Sequence, residues 1–141
     1  MEAYKIISGL ENACFDNPWT EKAIESCLSS ETGIYCLSDE TERPEGYAFG
    51  TVICDEAELY RIAVLPDSRR NGTGGRLLEG FIAECEKRGA TKIFLEVRSK
   101  NVPARKLYER YSFEEISVRK NYYGDDDAVI YIYTIKATPH N

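Results

Sequence analysis

The stretch Val64 to Leu78, V-L-P-D-S-R-R-N-G-T-G-G-R-L-L, limits the architecture of this chain more than any other. It sets Arg69-x-x-Gly72-x-Gly74 between a β-branched apolar run and an amphipathic helical pattern, so a strand must enter the junction and a helix must leave it. A glycine-rich turn that opens a helix presents unpaired backbone N–H groups at the positive end of the helix dipole, and the missing side chains let a ligand come close. Such a turn is a cradle for a phosphate-bearing ligand, and the cations of Arg69 and Arg70 beside it suit a pyrophosphate. A dinucleotide fingerprint fits poorly, because the glycines follow a longer arginine-bearing loop and end in Leu77-Leu78. A Walker A loop is excluded, since no Gly-Lys-Ser/Thr ending is present. The bland alternative is a flexible loop before a helix.

At 141 residues the chain is one ordinary domain, 1–141, long enough to bury a core unaided. Its five cysteines, Cys14, Cys27, Cys36, Cys54 and Cys85, are odd in number and contain no Cys-x-x-Cys pair. Neither a disulfide framework nor a metal site is expected, and buried thiols in a reducing cytoplasm are. Met1 to Gly9 lacks a basic start and an apolar block, so no leader is expected, and no run reaches membrane-spanning length. The net charge of −6 argues against non-specific nucleic-acid binding and is compatible with a cationic partner. The single histidine, His140, sits in the tail, which removes Ser-His-Asp and Cys-His mechanisms and leaves acid–base work to carboxylates, tyrosines, lysines or thiols.

The order of elements reads as a mixed α/β (α+β) domain. Ala3 to Ile7 suggests a short strand, followed by helical pattern to Phe15, and Trp19 to Ser29 a second helix. Strands are expected over Gly33 to Ser38, Gly46 to Cys54 and Glu58 to Val64. Thr73 to Arg88 is the clearest helix, with Leu77, Leu78, Phe81, Ile82 and Cys85 on one stripe and Gly89 as its stop. Lys92 to Val97 reads as a buried strand, and Ala104, Leu107, Tyr108 and Tyr111 mark a helix capped by Asn101. Phe113 to Arg119 and Ala128 to Ile135 close the chain as antiparallel strands. Strands before and after a strand-helix-strand unit imply one mixed, mainly antiparallel central sheet flanked by helices.

The glycine motif at this junction resembles the acetyl-CoA motif of the GCN5-related N-acetyltransferase (GNAT) family. Asp55-Glu56-Ala57, Ile62-Ala63-Val64, Glu86-Lys87-Arg88-Gly89, Leu95-Glu96-Val97-Arg98, Leu107-Tyr108-Glu109 and Asn121-Tyr122-Tyr123 together resemble its ribosomal-protein-alanine branch, over Pro18-Trp19 to Ile135. The resemblance implies that Ile62, Ala63 and Val64 present backbone groups to the acetyl-pantetheine arm. It assigns Arg69, Arg70, Asn71, Gly72, Thr73, Gly74 and Gly75 to the pyrophosphate and Asn101 to the cofactor. It makes Glu96 the general base and Tyr108 the acid that protonates the leaving thiolate, with acetyl-CoA as cosubstrate and no metal. The chain departs from the pattern at Ser112, where glycine is usual, at Arg61, often asparagine, and at Lys100 to Pro103, usually alanine-rich.

The residues also speak without the family. Glu96 interrupts the apolar run Ile93 to Val97, where a carboxylate is costly unless it faces a cleft or a partner such as Arg98. Tyr108 lies on the inward stripe of its helix and, apart from the family, reads as a core aromatic with a satisfied hydroxyl. Trp19, Tyr122 and Tyr123 are candidates for an acceptor groove; Trp19 also reads as an anchor for the second helix, and Asp125 to Asp127 as a solvated turn. A peptide α-amine, with a reference pKa near 7.7 to 8.0 against about 10.4 for lysine, costs roughly 3 to 4 kcal/mol less to deprotonate at neutral pH. A carboxylate base is therefore better matched to a protein or peptide N-terminus, and the resemblance implies that of a ribosomal protein. Acetylation of a small-molecule amine or lysine, and a non-catalytic CoA-binding module, are the competing functions. Composition says nothing of oligomeric state.

Overall fold

A computed structural model of the chain describes residues 2–41, 43–69 and 71–136. Arg70 and His140 lie outside them.

The first helix, α1 (Ala3–Cys14), replaces the short strand expected over Ala3 to Ile7. Ile7, Leu10, Glu11 and Cys14 fall on one helical face, and Ile7 and Leu10 are buried by it, so tertiary packing overrides the β-branched Ile6-Ile7 pair. The second helix, α2 (Glu21–Ser29), starts two residues later than expected, where the Thr20 hydroxyl accepts the Ala23 N–H at 3.1 Å. Trp19 therefore precedes the cap, and with Ile24 one turn on it joins the same apolar cluster as a hydrophobic staple.

Strands β1 (Gly33–Leu37), β2 (Gly46–Ile53) and β3 (Glu56–Val64) form an antiparallel meander. The helix α3 (Thr73–Lys87) crosses back to β4 (Lys92–Arg98), which lies parallel to β3, and α4 (Val102–Arg110) leads to the hairpin β5 (Glu114–Arg119) and β6 (Ala128–Thr134). The sheet order is β1-β2-β3-β4-β6-β5, with β3–β4 its parallel pair, as a mixed and mainly antiparallel sheet requires. Leu78, Phe81, Ile93, Leu95 and Tyr131 pack one cluster under α3 and α4; Ile7, Ile24, Tyr47 and Phe49 pack the other under α1 and α2. At roughly 1.5–3 kcal/mol per fully buried large side chain, these two faces supply the main driving force for folding.

The C-termini of α3 and α4 share one geometry. Ala90 N–H reaches the Cys85 carbonyl and Gly89 N–H that of Glu86; Phe113 N–H reaches Tyr108 and Ser112 N–H reaches Glu109. Gly89 holds the left-handed position at φ +84°, and Ser112 holds the matching one at φ +73°. Glycine is usual there because a Cβ in this region costs about 1 kcal/mol. The Ser112 departure thus taxes stability and leaves the turn intact. No helix among the described residues is long and apolar enough to cross a membrane.

Candidate active site

Strands β3 and β4 pair only over Glu56–Leu59 with Lys92–Leu95. Past Leu59 and Leu95 they part, so Arg61–Val64 pairs with β2 alone and Glu96–Arg98 with β6 alone. The cause is a bulge: Gly50 faces Leu59 while Phe49 faces Arg61, leaving Tyr60 unmatched and bending β3 away. Gly50 permits this close passage, since a Cβ there would sit 1.9 Å from the Glu58 carbonyl oxygen. The edge of β3 that carries half-buried Ile62 and Ala63 is left facing the opening, and unpaired backbone groups in such a place need a partner. The Val64 carbonyl already accepts the Arg69 Nε–H at 2.9 Å.

The glycine loop lies at the end of β3. Gly72 takes φ +79° as the residue before α3 and, having no side chain, offers no cap to the first turn of a 15-residue helix. The loop is braced from both sides: Arg76 donates to the Asn71 carbonyl at 3.1 Å and to the Thr73 hydroxyl at 3.0 Å, and the Asn71 amide is placed to donate to the Ser68 and Arg69 carbonyls at 2.8 Å. Arg69 and Asn71 thus shape the loop, while Gly72, Thr73, Gly74 and Gly75 provide its amides. A Cβ at Gly75 would come within 2.1 Å of the Tyr111 hydroxyl, so the tyrosine ring would have to move, and a Cβ at Gly74 would lie 3.5 Å from Leu107. The two glycines thus let the start of α3 lie close to Leu107 and Tyr111 at the end of α4, the helix that carries Tyr108. Asn101 caps α4 as the sequence suggests, accepting the Ala104 N–H at 3.3 Å.

Glu96 stands on β4 at the first residue past the pairing. It accepts the Tyr123 hydroxyl at 2.9 Å, while Arg98, its expected alternative partner, pairs with Asp125 at 3.0 Å. Glu96, Glu58, Phe94, Arg119 and Ile130 line a cleft of about 490 Å³. Burial, and then the charge of Glu96, raise the Glu58 carboxyl above its usual range. Burial and the hydrogen bond to Glu96 push the Tyr123 phenol up to about 12, so it stays a donor at neutral pH. Tyr108 is 7% exposed, its ring packed on Phe113 and Tyr131. Burial holds its phenol well above the ordinary range, and the Arg61 cation draws it partway back.

Two aromatic groups flank this region. Trp19 meets Phe49 edge-on at 5.1 Å and Tyr60 at 5.2 Å, so it is an anchor for the α1–α2 face as well as a wall. Tyr122 is 54% exposed and packs edge-on against Tyr123 at 5.1 Å. The Asp125 to Asp127 turn is not wholly solvated: buried Asp126 accepts the Lys100 and Asp127 N–H groups at 3.0 and 2.7 Å, tying the tyrosine loop to β4 and α4. Glu11, Tyr47, Glu58, Tyr60 and Arg76 were not singled out by the sequence. A period-two reading of β3 would have found Glu58 beside Glu96; nothing short of the fold pairs Glu11 with Tyr47.

The model of the acetyltransferase (GNAT) family matches residues 4–113, which include the glycine loop between β3 and α3 and the parting of β3 from β4. The chain belongs to that family and is an N-acetyltransferase. It is 41% identical over 117 residues to the [ribosomal protein bS18]-alanine N-acetyltransferase of Escherichia coli K12, covering 80% of this chain and 78% of that one. A putative enzyme of the same name from Bacillus subtilis is 30% identical over 129 residues, covering 89% and 85%. The crystal structure of the Escherichia coli ribosomal-protein-S18-alanine N-acetyltransferase superposes with a TM-score of 0.86 at 35% identity, over 100% of this chain and 94% of that one.

Proposed function

We propose that this chain acetylates the N-terminal alanine of a small-subunit ribosomal protein, using acetyl-CoA by direct transfer within a ternary complex. The observation that carries the reading is the position of Glu96: the strands part beside it, and its carboxylate faces the cleft with the Tyr123 hydroxyl as its partner and no ion pair among the described residues. The names of the relatives support the acceptor class.

The residues fit the cosubstrate. The amides of Gly72, Thr73, Gly74 and Gly75 would take the pyrophosphate, with Arg69 and Asn71 shaping the loop and Arg70 adding a positive charge in sequence beside it. Ile62, Ala63 and Val64 would align the pantetheine arm along the free edge of β3, and Asn101 would hold the start of α4 against it. Trp19, Tyr122 and Tyr123 would wall the acceptor peptide. When bound, the thioester supplies an activated carbonyl. Glu96 takes the proton released as the C–N bond forms, directly or through water, and Tyr108 gives its phenolic proton to sulfur as the C–S bond breaks. An acyl-cysteine is disfavoured: burial raises the Cys14, Cys27 and Cys36 thiols and pushes Cys85 up to about 12. Exposed Cys54 sits in the β2–β3 turn at the paired end of the sheet, away from the splay.

Mass detection of acetyl transfer to an alanine-starting peptide, a lysine peptide and free amines tests the acceptor. Transfer to the first alone is expected, and preferential transfer to amines or lysine would overturn it. Glu96→Gln should cut turnover by about a hundredfold or more with acetyl-CoA affinity nearly intact, and Tyr108→Phe should slow thiolate release. An unaltered pH–rate profile in the first variant, or wild-type rates in the second, would remove those roles.

A further inference from the structure

The buried carboxylate of Glu11 belongs to no step of the reaction, yet it gathers four segments of the chain. Its side chain is 0% exposed. Oε1 accepts the Tyr47 hydroxyl at 2.5 Å, from β2, and Oε2 accepts the Trp19 backbone N–H at 2.7 Å, from the segment between α1 and α2. Arg61 on β3 brings its Nε within 3.1 Å of Oε1, an ion pair without hydrogen-bond alignment. The same guanidinium donates from Nη2 to the Asn17 carbonyl at 3.1 Å and lies 4.0 Å over the Phe15 ring.

Arg61 reaches this face because of the bulge. Strand alternation would turn Tyr60 and Arg61 to opposite faces, but the extra residue at Tyr60 lets both address the α1–α2 side. Tyr60 then packs on Trp19 while its neighbour grips the chain two residues before Trp19. The segment between Phe15 and Thr20 is neither helix nor strand, so its course is set by what holds it. Three of those holds, on Phe15, Asn17 and Trp19, come from the Glu11–Arg61 pair.

We infer that Arg61 is a positioning residue for the acceptor: with Glu11 it forms a strut that sets the Trp19–Tyr60 wall against which the acceptor peptide lies. This rests on the acceptor reading above. It also gives the Arg61 departure a consequence, since an asparagine at this position is too short to span from β3 to both the Asn17 carbonyl and the Phe15 ring.

The strut predicts a split between the two substrates. Arg61→Gln should raise the KM for an alanine-starting peptide by roughly tenfold, with the KM for acetyl-CoA within about twofold and kcat little altered, because uniform acceptor binding is lost and the transfer step is not. Trp19 is the sole tryptophan, so its emission reports the wall without reference to activity; acrylamide should quench it more readily in Arg61→Gln. Arg61→Lys keeps a cation for Glu11 and loses the planar fork, so it should fall between the two and stands in if the glutamine variant fails to fold. Unchanged peptide KM and unchanged quenching would overturn the strut. So would an equal rise in both KM values, or a fall in kcat with a displaced basic limb of the pH profile, which would mean that Arg61 acts on Tyr108 instead. A wild-type protein that acetylates no peptide overturns the acceptor reading, while the quenching comparison still decides the strut.

Discussion

The two flanks of the cleft are built on opposite physical terms. The N-terminal flank, around Trp19, hangs on a fully buried carboxylate with backbone, phenol and guanidinium partners. The C-terminal flank, around Tyr122 and Tyr123, is held mostly by exposed charges: Arg98 on Asp125, exposed Lys120 on half-buried Asp127, and guanidinium groups over both tyrosine rings at 4.1 and 5.6 Å. Only Asp126 is buried on that side. Charges removed from water are expensive to leave unpaired and are little screened, whereas exposed pairs are weak and salt-sensitive. The first flank should therefore be rigid and intolerant, and the second adaptable.

The largest effect should follow from breaking the first flank outright. Glu11→Leu strands the Arg61 cation, the Tyr47 hydroxyl and the Trp19 N–H, and should cost about 3–5 kcal/mol in urea denaturation. A loss below about 1 kcal/mol would erase the contrast. Asp126→Ala removes the acceptor for two backbone N–H groups on the other flank and should cost about 1–3 kcal/mol, with faster amide exchange at Lys100 and Asp127. If it equals the Glu11 variant, the second flank is no softer than the first.

Acid should give a smaller, local effect. The Asp125 carboxyl is held below its usual range chiefly by the Arg98 hydrogen bond, and that of Asp127 by the Asn121 N–H. Because their folded values lie below the unfolded value of about 3.9, their contribution is complete above it and fades as pH falls through the folded values. Protection factors of the amides across Asn121 to Asp127, taken against the intrinsic rate at each pH, should fall below about pH 4. Protection that stays level there would dissociate the loop from its charges. The smallest effect should come from salt: raising ionic strength from about 0.1 M to 1 M shortens the Debye length from about 10 to 3 Å and should weaken peptide capture by the tyrosine loop more than it alters Trp19 emission. Equal responses would mean that the flanks do not differ in screening.

Elements whose pattern repeats along the chain were legible from the residues. The stripe Leu77, Leu78, Phe81 and Cys85, the Asn101 cap and the Gly89 stop are local signals, and α3 and α4 lie where these signals set them. The strand expected over Ala3 to Ile7 failed because two adjacent isoleucines satisfy either period, and burial beneath β2 and β3 decided between them. Within the site, the glycine loop was legible because a helix N-terminus is a local object. Roles for Arg69 and Asn71 in bracing that loop were not: their contacts reach only two to five residues back, but which carbonyl each side chain meets is set by the folded course of the loop.

Residue order alone determined the strand, loop and helix at Val64 to Leu78, the family they belong to, and the chemistry open to a chain whose single histidine lies in its tail. Tertiary structure decided the rest: where β3 leaves β4, which face Arg61 addresses, and that Glu11, Trp19 and Tyr47 meet. The physical reason is range. Helix periods, caps and turns act over three or four residues, whereas a bulge is defined only by the partner strand, and a buried charge network only by the segments that enclose it.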